Sequence, residues 1–297
     1  CVRRIRFYLR RAEGDDVRLR GEIPRDQYDA HPGVRWSLLS HMRKSPAHYQ
    51  HALTHPRAAT SALNTGSALH ALVFEPETYA DRFTTYAASK TKGEGARKAW
   101  EAFQEETRAR GLTILDADEV QRAEGMAAAV RAKASAYIAP SKGRAEIPIT
   151  WTDSDTGLLC KARLDWLTVD RLLIDLKSTR STEERAFANQ AWKLGYFHQQ
   201  IFYSMGVAAA TGRALDEVPF LFVAVESEPP YDVALFEPCQ ESRQAAHEDV
   251  KRLMAALAEC QRTGKYQGRY DGPRILKAPA YVLMSEDDEW EIQTKEL

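Results

Sequence analysis

The chain has 297 residues, 44% of them hydrophobic and 28% charged, which are the proportions of an ordinary soluble globular protein. Its 41 basic and 42 acidic residues give a formal net charge of −1. That balance argues against a protein that coats nucleic acid through bulk charge, but it leaves room for a local basic channel. No apolar run is long enough for a membrane span. We expect a cytoplasmic protein.

The four cysteines, Cys1, Cys160, Cys239 and Cys260, are widely spaced, which argues against a disulfide framework, a zinc site or an iron–sulfur cluster. Residues 1–20 are basic but contain no apolar stretch of a secretory signal. We treat them as an extension that is expected to be disordered. Residues 21–297 are expected to form a single domain, with a helical part over about 21–145, a sheet core over about 146–265 and an irregular tail over 266–297.

The first predicted elements are short helices, one from a cap at Ser37 and one that begins at Ser45-Pro46. Five of the eight histidines lie nearby, at irregular spacing, and are interpreted as exposed helix residues. A longer helix follows, capped by Ser61 or Thr65, with His70 among apolar neighbours. Gly66 within it suggests that another element packs closely there.

Residues 89–145 are predicted to form two amphipathic helices after a polar loop at 89–97. The basic side chains of this region either contact phosphates or form a solvated face: Lys90, Lys92, Arg97 and Lys98. Strands are then predicted from Glu146 to Trp151 and in a hairpin of Leu158–Leu167 and Leu172–Lys177, joined by a short polar connection. One long helix is predicted over about 186–210, then strands at 219–226 and 231–236, and a helix at about 240–263.

Acidic side chains and a lysine are concentrated at the end of the predicted hairpin. Because strand side chains alternate between two faces, Lys161, Arg163 and Asp165 share one face of the first strand, and Asp175 and Lys177 share one face of the second. Buried charges persist when they pair with each other or bind a metal. Two aspartates beside a lysine form a hard oxygen site suited to magnesium. The alternative is an ordinary cross-strand salt bridge.

The order of these motifs resembles the PD-(D/E)XK nucleases, and within them the RecE-type exodeoxyribonuclease VIII of phages. The resemblance covers roughly residues 28–240 and rests on four segments: Gly66–Pro76 (GSALHALVFEP), Cys160–Asp165 (CKARLD), Asp175–Thr179 (DLKST) and His198–Tyr203 (HQQIFY). Leu164 stands where the superfamily name has proline. The implied fold is α/β, a restriction-endonuclease-like core with a central mixed sheet flanked by helices and a helical N-terminal portion.

The resemblance also implies roles for individual residues. Asp165, Asp175 and Lys177 would be catalytic, and Mg²⁺ or Mn²⁺ would be held by His70, Asp165, Asp175 and the backbone carbonyl of Leu176. Glu146 is either an additional site residue or an exposed strand residue. The residues expected to hold DNA are Gln199, Tyr203, Arg163 and Lys161, although the last two have an alternative role as solvated strand charges.

The function implied is a metal-dependent exodeoxyribonuclease that degrades linear double-stranded DNA from its ends, 5′ to 3′, and exposes single strands for phage or prophage recombination. Expected partners are double-stranded DNA ends, a RecT-type single-strand annealing protein and further copies of the chain in a ring. Three alternatives are a structure-specific endonuclease on the same core, an inactive DNA-binding module, and an unrelated α/β protein that binds a small ligand.

Overall fold

The computed structural model describes residues 25–55, 60–88 and 93–279. Its helices are α1 (Arg25–Ala30), α2 (Trp36–Leu39), α3 (Pro46–Thr54), α4 (Ser61–Phe74), α5 (Tyr79–Arg82), α6 (Glu94–Ala109), α7 (Ala117–Ile138), α8 (Glu184–Leu194), α9 (Tyr196–Thr211) and α10 (Gln240–Thr263). Its strands are β1 (Phe83–Thr85), β2 (Thr113–Leu115), β3 (Gly143–Thr152), β4 (Leu159–Thr168), β5 (Leu173–Thr179), β6 (Phe220–Glu226) and β7 (Val233–Phe236). None of the helices in these ranges is long and apolar enough to cross a membrane.

A five-stranded mixed sheet in the order β3-β4-β5-β6-β7 forms the centre of the fold. Strands β5 and β6 are parallel and are joined through α8 and α9, whereas the other neighbouring pairs are antiparallel. This parallel pair needs a helical crossover, since a tight turn can join only antiparallel strands. The expected α/β class, with a central mixed sheet flanked by helices, is confirmed.

The two faces of the sheet are buried by different helices. One face packs against α2, α3, α8, α9 and α10, with Phe202 and Leu164 among its fully buried side chains. The other packs against α4 and α7, with Leu69 and Leu176 in its core. Because β5 alternates its side chains between these two cores, Asp175 and Lys177 point to the α9 side and Leu176 to the α4 side.

The hairpin and the helix over Gln240–Thr263 lie where the sequence predicts them. The predicted helix over about 186–210 is wrong as a single element, because the chain breaks into α8 and α9 at Gly195. Gly195 has a φ of 81°, a left-handed conformation that glycine adopts without steric strain. The local polarity around it gave no sign of a break, since apolar residues continue through both helices.

Smaller expectations also differ from the structure. Helix α4 is capped by Thr60, one residue before the predicted Ser61, through a bond from the Leu63 amide to the Thr60 hydroxyl. A Cβ added at Gly66 would meet nothing within 4 Å, so the expected close packing there is wrong. The short parallel pair β1 and β2 was not predicted. Residues 1–20, Lys90 and Lys92 lie outside the described residues, so the expectations about them stay predictions.

Candidate metal centre

Asp165 lies where the hydrogen-bonded ladder of β4 is interrupted on both sides. Toward β3 the pairs stop at Ala145 with Trp166 and resume at Ile147 with Leu164, which leaves Glu146 and Asp165 facing each other in the gap. Glu146 has a φ of 47°, a conformation that is strained for a side chain of its type. Backbone strain of this kind concentrates at functional sites.

Toward β5, the ladder consists of two pairs, Trp166 with Ile174 and Leu167 with Leu173. No further pair follows between the described residues of these two strands, and the side chain of Asp165 makes a hydrogen bond to β5 instead. Its Oδ2 accepts a hydrogen bond from the Leu176 amide at 3.0 Å. The carboxylate is thereby fixed against β5 and remains close to the gap.

His70 reaches this gap from α4. Its Nδ1 lies 3.5 Å from Asp165 Oδ2, and its Nε2 lies 3.0 Å from the carbonyl oxygen of Leu176. One ligand atom each from His70, Glu146 and Asp165 lie within 4.8 Å of one another. The structure therefore gathers an imidazole and two carboxylates from three elements at one point, with a backbone carbonyl beside them.

Asp175 and Lys177 form a buried pair on the next strand. Asp175 is 1% exposed, and its Oδ2 lies 2.5 Å from Lys177 Nζ. Its Oδ1 has no hydrogen-bond partner within the described part of the chain. The Lys177 ammonium also lies 4.9 Å from the centre of the Tyr196 ring, a cation–π contact at the start of α9. Leaving a buried carboxylate oxygen without a hydrogen-bond donor costs free energy, so this position is suited to binding a cation.

The charges of this cluster perturb one another strongly. Burial raises the pKa of Asp175 to about 6, although Lys177 beside it acts in the opposite direction. Burial also raises the pKa of Asp165, and burial together with the charge of Asp165 raises the pKa of Glu146. Burial alone would lower the pKa of Lys177, but Asp175 and Asp165 raise it overall. Burial and the Lys177 charge lower the pKa of His70, which favours the neutral imidazole.

These donors fit a divalent cation. Carboxylate and carbonyl oxygens are ligands of Mg²⁺, and a neutral imidazole extends the range to Mn²⁺. The predicted ligands His70, Asp165 and the Leu176 carbonyl lie together, and Glu146 joins them. Asp175 is outside the group of atoms within 4.8 Å, and its Oδ2 is paired with Lys177 Nζ. Its assignment as a ligand stays a prediction, which its unpartnered Oδ1 favours.

Gln199 and Tyr203 lie one turn apart on α9, and Gln199 Nε2 donates to Tyr203 Oη at 2.8 Å. Burial raises the pKa of Tyr203 well above its usual value, and the negative charges of Asp165 and Asp175 add to that rise. The hydroxyl is thus close to both aspartates. The structure places this pair beside the acidic cluster, where the sequence resemblance expects DNA-binding residues.

Arg163 and Lys161 are both held by Tyr28, near the end of α1. The guanidinium of Arg163 lies 4.7 Å from the centre of the Tyr28 ring, and its Nη1 lies 3.8 Å from Glu146 Oε2. Lys161 is buried, and its ammonium donates to the carbonyl oxygens of Tyr28 and Asp29 at 2.8 and 3.0 Å. Arg163 therefore borders the metal centre, whereas Lys161 anchors α1 to the sheet. Its expected DNA contact stays a prediction that this anchoring disfavours.

The family model described as "PDDEXK-like domain of unknown function (DUF3799)" matches residues 36–270. The chain belongs to this family. In this PDDEXK-like domain, Asp165 lies at the gap in the β4 ladder and accepts a hydrogen bond from β5.

A crystal structure from Eubacterium rectale, named "Putative exonuclease", aligns with a TM-score of 0.57 at 15% identity, over 88% of this chain and 97% of that one. A second structure, SSO0001, aligns with a TM-score of 0.26 at 14% identity, over 73% of this chain and 84% of that one. This similarity is too low to support a conclusion about the fold. No curated protein matches. The first alignment supports the PDDEXK-like fold.

Two site residues of the PDDEXK-like domain escaped the sequence analysis. Tyr196 contacts Lys177 and follows Gly195, so only recognition of the helix break would have placed it at the start of α9. Tyr28 lies before the matched residues 36–270, in a region without an apolar period. Its contacts with Arg163 and Lys161 span more than 130 positions, and no local pattern encodes them.

The pKa of Asp175 predicts how cation binding by the PDDEXK-like domain depends on pH. Since its pKa is raised to about 6, the metal-free fold carries a proton there at pH 5, and a cation must displace it. We expect affinity for Mn²⁺ to fall about tenfold per pH unit below that value. The gain in melting temperature on adding Mn²⁺ should therefore be much larger at pH 7.5 than at pH 5. Equal gains at both pH values would contradict the assignment of Asp175.

Proposed function

We propose that the protein is a metal-dependent exodeoxyribonuclease that degrades linear double-stranded DNA from its ends, in the 5′ to 3′ direction. The observation that carries the proposal is the junction at the β4 gap, where His70, Glu146 and Asp165 converge beside the Asp175–Lys177 pair. Hydrolysis of a phosphodiester requires an attacking water, compensation of charge on the phosphate oxygens and help for the leaving oxygen. This cluster offers groups for the first two of these needs.

The residues present suggest a division of tasks. His70, Asp165, Asp175 and the Leu176 carbonyl would hold Mg²⁺ or Mn²⁺, and Glu146 is available as a further ligand. When bound, the cation supplies an acidified water and compensates charge on the phosphate. Lys177, whose ammonium is fixed by Asp175 and Tyr196, would hold the attacking water or a phosphate oxygen. Arg163 would contact the phosphate from the Glu146 side, where a planar guanidinium suits its oxygens.

The choice of an exonuclease rests on similarity. The solved structure with a TM-score of 0.57 is named an exonuclease, and the segments around His70 and Gln199–Tyr203 resemble RecE-type enzymes. The resemblance further supports a role in phage or prophage recombination, with a RecT-type annealing protein as partner. It also supports a ring of several copies around DNA. A ring would concentrate basic side chains in a channel and so reconcile DNA binding with a net charge of −1.

A comparison of linear and closed circular duplex DNA tests the proposal. With Mg²⁺, we expect the protein to digest the linear form and leave the circular form intact, and 5′-end label should be released before 3′-end label. Chelation of the metal should stop digestion, and Asp175→Ala should not digest either form. Cleavage of the circle would support the endonuclease alternative, and no loss of either DNA would contradict nuclease function altogether.

A further inference from the structure

A cavity of about 780 Å³ lies beyond the carboxyl ends of β5 and β6. Ser178 and Thr179, which directly follow Lys177, line it together with Ser227 after β6. Its other walls are the start of α4, one side of α7 and the end of α8, so the cavity lies between the two helical layers. Crevices outside the carboxyl ends of parallel strands are the usual ligand sites of open α/β sheets.

The start of α4 presents donors to this cavity. Ser61 and Ala62 are its first two residues, and their amides cannot bond within the helix. One turn later, Thr65 also lines the cavity. Thr65 is only 7% exposed, and its side-chain Oγ1 has no hydrogen-bond partner among the residues that the structure describes. A buried hydroxyl of this kind calls for a ligand, because leaving it unsatisfied costs free energy.

Cationic side chains from three different elements surround the same space: Arg122 of α7, Arg180 after β5 and Lys193 of α8. The one acidic side chain on the described lining is Glu228, whose carboxylate lies 3.9 Å from Arg122. Three cations against one carboxylate, together with the amino-terminal end of a 14-residue helix, make the cavity suitable for an anion. Tetrahedral oxyanions such as phosphate use these donors together.

The cavity has a fixed distance to the metal centre because α4 contributes to both. Thr65 and Ser61 precede His70 by five and nine residues, which is about 8 and 14 Å along the helix at 1.5 Å per residue. A single nucleic acid strand that spans this distance can therefore place one phosphate at the metal centre and another in the cavity. On the sheet side, β5 links the two places through Lys177, Ser178 and Thr179.

We propose that this cavity is a second phosphate-binding site, which holds another phosphate of the nucleic acid strand that is bound at the metal centre. The identification of the ligand as DNA rests on the proposed function. The preference for a phosphate group rests on the residues of the cavity alone. The first turn of α4, the Thr65 hydroxyl and the side chains of Arg180 and Lys193 bind the phosphate oxygens. The site would set how the strand enters or leaves the place of cleavage.

DNA binding without cleavage tests the site. In the presence of a chelator, the affinity for a short duplex would be measured by fluorescence anisotropy over a series of salt concentrations. We expect the double variant Arg180→Gln, Lys193→Gln to bind about tenfold more weakly, since charge-assisted hydrogen bonds to phosphate are lost. The slope of log affinity against log salt should fall by about one. The matched control is Lys251→Gln, Arg252→Gln, two exposed cations on α10, which should change neither quantity.

A second measurement uses inorganic phosphate as the probe and does not depend on DNA. Phosphate should raise the melting temperature of the wild-type protein, and Thr65→Val should lose most of that rise. Because the valine removes an unsatisfied buried hydroxyl, its melting temperature without phosphate should be equal to or above that of the wild type. A purely structural role for Thr65 would instead lower that temperature and leave the effect of phosphate intact.

The outcomes separate the two proposals. If the wild type digests DNA but the double variant keeps its affinity and salt slope, and phosphate stabilises Thr65→Val as much as wild type, the second site is wrong. If the wild type neither binds nor digests DNA, the proposed function fails. In that case, phosphate stabilisation lost in Thr65→Val would still support the cavity as a site for a phosphate ligand. Duplexes with and without a 5′-phosphate distinguish a terminal from an internal phosphate.

Discussion

Replacing Asp175 with asparagine is expected to lower metal-dependent DNA hydrolysis by about 10³-fold or more, because charge stabilisation at a metal centre is worth several kcal/mol of barrier. Asparagine has the same shape, but it cannot supply the negative charge. The variant should also lose most of the rise in melting temperature that Mn²⁺ gives to the wild type. Near-ultraviolet circular dichroism would verify that it folds.

A comparison with Lys177→Ala separates the roles of the buried pair. If Lys177 acts on the water or the phosphate, its loss should abolish hydrolysis while Mn²⁺ still raises the melting temperature. The chain provides a matched control in the exposed ion pair of Asp155 and Lys251, whose Oδ2 and Nζ atoms lie 2.7 Å apart. Asp155→Asn and Lys251→Ala should retain full activity. If Asp175→Asn keeps more than a tenth of the wild-type activity, the assignment of Asp175 to the metal centre is wrong.

Replacing Phe202 with alanine is expected to lower the free energy of unfolding by about 3–5 kcal/mol, the usual cost of removing a fully buried phenylalanine. Phe202 lies on α9, is 0% exposed and packs against Trp151 and Trp36, with ring centres 4.9 and 6.3 Å away. The loss combines lost burial with the cavity left behind. Urea unfolding at neutral pH would measure it.

Two further variants make the Phe202 result specific. Phe202→Leu preserves most of the buried volume and should cost much less than alanine. Tyr270→Ala, at a position 61% exposed, should change the unfolding free energy by no more than about 0.5 kcal/mol. A cost below about 1 kcal/mol for Phe202→Ala would show that α9 does not depend on this contact.

The parts of the fold that were predictable are those with a strong local pattern. The hairpin of β4 and β5 has alternating apolar residues and a polar turn, and α10 has a sustained helical period. By contrast, the break at Gly195 depends on tertiary packing of α8 and α9, and apolar residues on both sides hide it. Likewise, the free space at Gly66 depends on which elements pack there. A glycine alone does not determine that.

The candidate site divides in the same way. Asp165, Asp175 and Lys177 stand out because charges at the end of an apolar hairpin have no structural need, and the order of motifs adds His70, Gln199 and Tyr203. Glu146 remained open, since its role depends on the interrupted ladder opposite Asp165. The anchoring of Lys161 by α1 could not be predicted either, because that contact joins segments far apart in the chain.

The ladder between β4 and β5 consists of the pairs Trp166–Ile174 and Leu167–Leu173, next to the turn. The central sheet therefore divides into two ribbons, β3–β4 and β5–β7, with few backbone bonds between them. Asp165 and Glu146 belong to one ribbon, while Asp175, Leu176 and Lys177 belong to the other. An ion that is bound by residues of both ribbons would therefore link the two parts of the sheet. Binding of the ion and a loss of flexibility in the sheet would then occur together. The amide hydrogens of β4 and β5 should then exchange with solvent more slowly when the ion is bound.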